Sequence, residues 1–205
     1  MGERAYLRAD ARRRQLLDAA SRLFEQDGFT AITMSAVAAE AGASRRLVYD
    51  HFSDLGDLYA AFFEDRVARY AAAIDHASAP GSAGGPRSFE GAAGELLAVP
   101  AQDLRAIQLV LADSAAAELA GARAALRDHL RSRWLPVLEP MGIAQDTADA
   151  LLWSLASSFV TVADHVQRGA LAPEAGLELA AALAASLPHT VERLSRTPAH
   201  ASEAP

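Results

Sequence analysis

The chain has 205 residues, a formal charge of −7 at pH 7, 51% hydrophobic residues and no cysteine. This length suits one large domain or a small domain joined to a larger one, and the missing cysteines exclude a disulfide framework, a thiolate metal site and a catalytic thiol. Charged residues crowd positions 3 to 14, against a secretory leader. The longest uncharged apolar run, Ala150 to Ala163, falls short of the ~20 residues a membrane helix requires, so a cytoplasmic chain with no membrane partner is expected.

The acidity is unevenly spread. Residues 1–56 hold eight Arg and eight Asp or Glu, while the remainder holds 11 Arg and 18 acids and carries the whole surplus. The first helix is predicted over Asp10 to Asp27, where Leu16, Leu17, Ala20, Leu23 and Phe24 recur on one face. Arg4, Arg8, Arg12, Arg13 and Arg14 lie at its start against Glu3 and Asp10. Such an arm can follow phosphates or reach a minor groove, and reads as readily as a solvated terminus. Gly28 stops the helix and Phe29 folds back as a core anchor.

Next, Met34, Val37, Ala38 and Ala41 fall at i, i+3, i+4 and i+7, one apolar helical face. Thr33 stands where a side-chain oxygen caps the first turn, and Gly42 follows where a helix ends in the left-handed conformation. Ser44 is a second cap. Val48 and Phe52, one turn apart, face inward, leaving Arg45, Arg46, Leu47, Tyr49, Asp50 and His51 outward or lateral. Two short helices about a glycine turn, the second rich in cationic and aromatic groups, form the pattern that enters a DNA major groove.

Helices are then expected over Ser53 to Ala77, Phe89 to Val99, Gln102 to Leu119, Ala122 to Leu138, Thr147 to Gln167 and Glu174 to about Leu194. A Gly/Pro/Ser run separates the first two, from Ser78 to Pro86. Leu152, Leu155, Phe159, Val162 and Val166 form one late apolar stripe; Leu177, Ala180, Ala181, Ala184, Leu187 and Val191 form another. These stripes suit either a two-fold interface or the chain's own core. No histidine pairs with a carboxylate at zinc-motif spacing, so neither metal nor cofactor is expected. No nucleophile–base motif points to an enzyme.

From about Arg12 to Phe63 the chain resembles the DNA-binding domain of the TetR (AcrR-like) family of bacterial transcription regulators. The landmarks are Phe24-Glu25-Gln26-Asp27-Gly28-Phe29, Thr33, Val37-Ala38-Ala39-Glu40-Ala41-Gly42-Ala43-Ser44, Val48-Tyr49, His51-Phe52 and Leu58. Three positions depart from the family: Arg46, where a small residue is common, Leu47, where a hydroxyl is common, and Leu55, where a phosphate-holding lysine is common. The resemblance implies an all-α protein with an N-terminal three-helix helix-turn-helix domain (1–56), a larger C-terminal ligand-binding and dimerisation domain (57–197) and a disordered tail (198–205). It also implies a homodimer paired through its last two long helices, reading a double-stranded, pseudo-palindromic operator in the nucleoid, and a repressor released by an unidentified small-molecule effector. Arg45, Arg46 and Leu47 are expected at base edges, with Thr33, Ser44, Tyr49 and His51 on the DNA backbone. Effector-contact candidates are Phe63, Tyr70, Gln108, Leu111 and Trp134, joined by Trp153, Ser157, Thr161 and Asp164 on one late helix. An architectural DNA-binding protein of this fold without an effector is the alternative.

Overall fold

In the computed structural model, which describes residues 2–77, 97–112 and 117–196, every regular element is helical. The first helix, α1 (Gly2–Asp27), begins well before Asp10, so the early arginines ride on its first turns instead of preceding it as an arm. Gly28, at φ 79°, ends it, and a 3-10 turn at Phe29–Ala31 leads into α2 (Met34–Glu40) and α3 (Arg45–His51). Both expected caps form: Thr33 Oγ1 accepts the Ala36 N–H at 3.1 Å and Ser44 Oγ accepts the Leu47 N–H at 3.2 Å. Gly42, at φ 62°, closes α2. Its N–H donates to Ala39 and that of Ala43 to Ala38, the paired bonds by which a left-handed residue satisfies the last carbonyls of a helix.

Helix α4 (Leu55–Ala77) starts two residues later than Ser53 because a reciprocal cap precedes it. The Asp57 N–H donates to the Asp54 carboxylate, and the Ser53 N–H to the Asp57 carboxylate, each at 2.8 Å. With 23 residues, α4 reaches ~35 Å, long enough to serve both halves of the protein. It packs on α1, on α5 (Ala101–Leu111) and on α6 (Ala120–Leu138). Residues 56 and 57, the expected boundary, thus lie in its first turn, and one apolar core runs from Leu16 to Val191.

Helix α5 is shorter than the expected Gln102–Leu119. Ala112 turns extended, at ψ 139°, and a separate 3-10 turn occupies Ala117–Leu119. The Arg123 guanidinium on α6 donates to the carbonyls of Val110 and Ala112, satisfying groups that a continuous helix would have used. After the turn at Glu139–Met141, α7 (Gln145–Gln167) packs on α5 and α6, and α8 (Pro173–Arg196) packs on α7. The expected loop from Ser78 to Pro86, most of the Phe89–Val99 helix and the 198–205 tail lie outside the described residues.

Most of the late stripes is core, whereas Val166 and Ala181 are half-buried and Leu177 is exposed. Leu152, Leu155, Phe159 and Val162 on α7, and Ala180, Ala184, Leu187 and Val191 on α8, are all buried within the single chain. They spend their apolar area joining α7 and α8 to the body. Among the described residues no helix is long and apolar enough to cross a membrane.

Candidate DNA-reading surface

The second helix of the motif is held from beneath. Val48 (0% exposed) and Phe52 (1%) anchor α3 in the core, which turns Arg45, Arg46, Tyr49 and Asp50 into solvent and leaves Leu47 and His51 half-exposed. Thr33 and Ser44 are exposed as well. Each hydroxyl uses one lone pair as a cap acceptor and keeps its own hydrogen to donate. All seven residues expected to touch DNA are therefore accessible, from the cap of α2 to the last turn of α3.

Side chains of α1 fix the pose of that motif, a role the sequence does not announce. The Arg13 guanidinium lies 4.6 Å from the centre of the Phe52 ring, so this arginine braces the end of α3. The Gln15 amide donates to the Ala41 carbonyl at 3.2 Å, and Arg22 pairs with Glu40 at the end of α2. Arg12 bonds Gln15 at 2.6 Å, and Arg14 is exposed. At the start of α4, Leu55 is partly buried against the core, and the carboxylates of Asp54 and Asp57 accept from the N–H groups of Asp57 and Ser53. That end of α4 holds carboxylates in place of a cation.

The nine effector candidates are distributed. Phe63 is buried where the two halves meet, its ring centre 5.6 Å from that of Phe29 and 5.2 Å from that of Phe62. Tyr70, Leu111 and Trp134 are buried in the body, and Gln108 is half-buried. Burial pushes the Tyr70 phenol well above its ordinary range, and its hydroxyl has no hydrogen-bond partner among the described residues. Trp153 lies on the flank, with the Arg127 guanidinium 5.0 Å from its ring centre, beside an open recess lined by Asp146, Asp149 and Ser154. Ser157 and the exposed Thr161 donate to the carbonyls one turn back, Trp153 and Ser157. Asp164 is buried and paired with Arg168, while neighbouring His165 points outward.

A buried ionic cluster went unforeseen. Arg66 on α4 is 1% exposed; its guanidinium bonds Asp103 at 2.7 Å, Asp65 at 2.8 Å and the Ser21 hydroxyl at 3.1 Å. The signal was present: Phe62, Arg66 and Tyr70 share one apolar face of α4, so the arginine stands at a core position.

Residues 16–62 match the family model described as bacterial regulatory proteins, tetR family. A 64-residue stretch is 34% identical to the HTH-type transcriptional regulator AcrR of Shigella flexneri, covering 31% of this chain and 30% of that protein. A TetR-like transcriptional regulator from Rhodococcus sp. RHA1 superposes with a TM-score of 0.64 at 24% identity, over 85% of this chain and 94% of the other. A second transcriptional regulator from that organism superposes with a TM-score of 0.66 at 22% identity, over 91% and 99%. Residues 16–62 thus form a domain of the tetR family of bacterial regulatory proteins, and the chain shares the fold of the two solved regulators over 85% and 91% of its length.

Proposed function

We propose that this protein is a homodimeric repressor that reads a pseudo-palindromic operator and leaves it when a small molecule binds the helical body. The observation that carries the reading is α3: a short helix pinned by Val48 and Phe52 that presents Arg45, Arg46 and Tyr49 to solvent. Arg45 and Arg46, about 100° apart around the helix, reach a base edge and a phosphate respectively or the reverse, with Leu47 beside a thymine methyl. Thr33, Ser44, Tyr49 and His51 donate to phosphate oxygens on either side. Replacing the base-reading arginine by alanine costs about 1–3 kcal/mol and relaxes one operator position. Replacing the phosphate-holding one weakens all sequences alike and lowers the salt slope by about 0.9.

Support for the dimer comes from what α7 leaves exposed. The exposed Ser154, Thr161 and His165 and the half-buried Ser158 fall at i, i+7, i+11 and i+4, and the three hydroxyls donate to their own helix at 2.8 to 2.9 Å. A small-residue stripe with its donors already satisfied permits close approach of a second helix. On α8, Leu177 and Leu179 are exposed at 49% and 46% and supply apolar area. The effector reading draws on the buried Tyr70 hydroxyl, which has no hydrogen-bond partner among the described residues, and on the open recess beside Trp153, where polar and apolar side chains meet. Differential affinity of that ligand for two head spacings is what releases DNA.

Selection of bound duplexes from a random pool tests the whole reading. A palindrome with half-sites one helical turn apart is the expected product. Enrichment of non-palindromic sequences, or none, sinks it.

A further inference from the structure

We propose that the Ser21–Arg66–Asp103 cluster is the latch that sets the angle of the DNA-reading head against the body. The three residues come from three helices: Ser21 from α1, which carries the head; Arg66 from α4, which crosses between the halves; Asp103 from α5, in the body. The side chains of Arg66 and Asp103 are 2% and 6% exposed. A guanidinium keeps its charge at any accessible pH, and a buried charge that loses its partner is strongly destabilising. Sliding α5 along α4 takes the buried Asp103 carboxylate from that charge and leaves it only Asp65 of its own helix, and tilting α1 away takes the Ser21 hydroxyl. Intermediate geometries are therefore disfavoured, and the junction prefers the position in which all three groups meet.

Apolar packing alone would be more forgiving. The Phe62 ring supports the guanidinium at 5.2 Å, but rings and methyls slide at little cost, whereas a 2.7 Å ionic hydrogen bond does not. An exposed outer layer repeats the arrangement, Arg69 meeting Asp18 of α1 at 3.4 Å and Asp65 at 3.0 Å. Asp65 lies on the same helix as Arg66 and Arg69, and its own ion pairs stay within α4. That difference supplies the control.

The consequence rests on the dimeric reading above: a rigid head angle fixes the distance between two reading helices. Asp103→Asn and Asp65→Asn each remove one carboxylate charge from Arg66, but only the first weakens the link between α4 and α5, leaving at most a neutral hydrogen bond there. Both are compared with the wild type on a duplex holding one half-site and on a series in which the half-site spacing changes by single base pairs. Asp103→Asn is expected to bind the single half-site with unchanged affinity and to lose roughly tenfold of the preference for the best spacing; Asp65→Asn keeps that preference. Asp103→Asn with the wild-type preference intact overturns the latch. Should Asp103→Asn fail to fold, Ser21→Ala, which cuts the 3.1 Å bond from α1, decides in the same way.

A wild type indifferent to spacing overturns the dimeric reading instead. The latch is then settled by scanning calorimetry on the same proteins. One transition in the wild type that splits into head and body transitions in Asp103→Asn supports it. A single transition that merely shifts, by about 10 °C or any other amount, refutes it.

Discussion

At the scale of single residues, polar groups inside apolar surroundings say most about this chain. The Tyr70 phenol is buried with its hydroxyl unpartnered among the described residues, and burial holds its pKa above the ordinary 10.0. The neutral form is therefore favoured in the folded state. Its contribution to stability is complete below pH 10.0 and is lost as the pH rises toward the folded value. Tyr70→Phe removes an unsatisfied hydroxyl, whose burial costs about 1–3 kcal/mol, so urea unfolding near neutral pH should show a more stable protein. Above pH 10 the variant should lose stability less steeply than the wild type; parallel declines would refute the burial argument. Both cap oxygens, at Thr33 and Ser44, were legible from residue type and spacing. Arg66 was legible only as a charge at a core register, because its partners Ser21 and Asp103 come from helices distant in sequence.

At the scale of elements, close approach between helices matters more than propensity. Gly176 lies in the first turn of α8, and a Cβ there would stand 2.3 Å from Cγ2 of Val166 on α7. Valine is stiff about its first torsion, so Gly176→Ala should destabilise the protein by about 1–3 kcal/mol. In a Val166→Ala background the clash is gone. The same substitution should then stabilise, by up to about 1 kcal/mol, through the better helix propensity of alanine. Denaturation midpoints of the four proteins would show that change of sign; two losses that simply add would show that α7 and α8 do not meet there. Val166 reads in sequence as one more apolar stripe position, and Gly176 as an indifferent residue. Helix boundaries divide in the same way: Gly42 ends α2 through its own conformation, whereas α5 ends at Leu111 with Arg123 from another helix capping its carbonyls.

For the whole molecule, the prediction concerns assembly. The proposed dimer uses the α7 stripe of exposed Ser154, Thr161 and His165 with half-buried Ser158, not the stripe through Leu155, which is buried in the chain's own core. Ser158→Arg should halve the mass seen by light scattering at micromolar concentration and leave the helical circular dichroism intact. Leu155→Glu should abolish the fold itself, since it places a charge in the core. A monomeric wild type, or a Ser158→Arg protein that remains dimeric, would remove the assignment of that face.

The sequence by itself determined the class of fold, the two helices of the reading motif, their caps, the inward anchors Val48 and Phe52 and the outward arginines. Each of these depends on contacts or periodicities within about one helical turn, the range over which neighbouring residues dictate one another's direction. Tertiary structure alone decided which apolar stripes are core and which face stays free, how α1 braces the motif through Arg13, Gln15 and Arg22, and why an arginine can be buried in α4. An apolar stripe records only that a face is covered, by whatever covers it. A buried charge likewise finds its partner in space, and in this chain the partners stand 37 and 45 residues away.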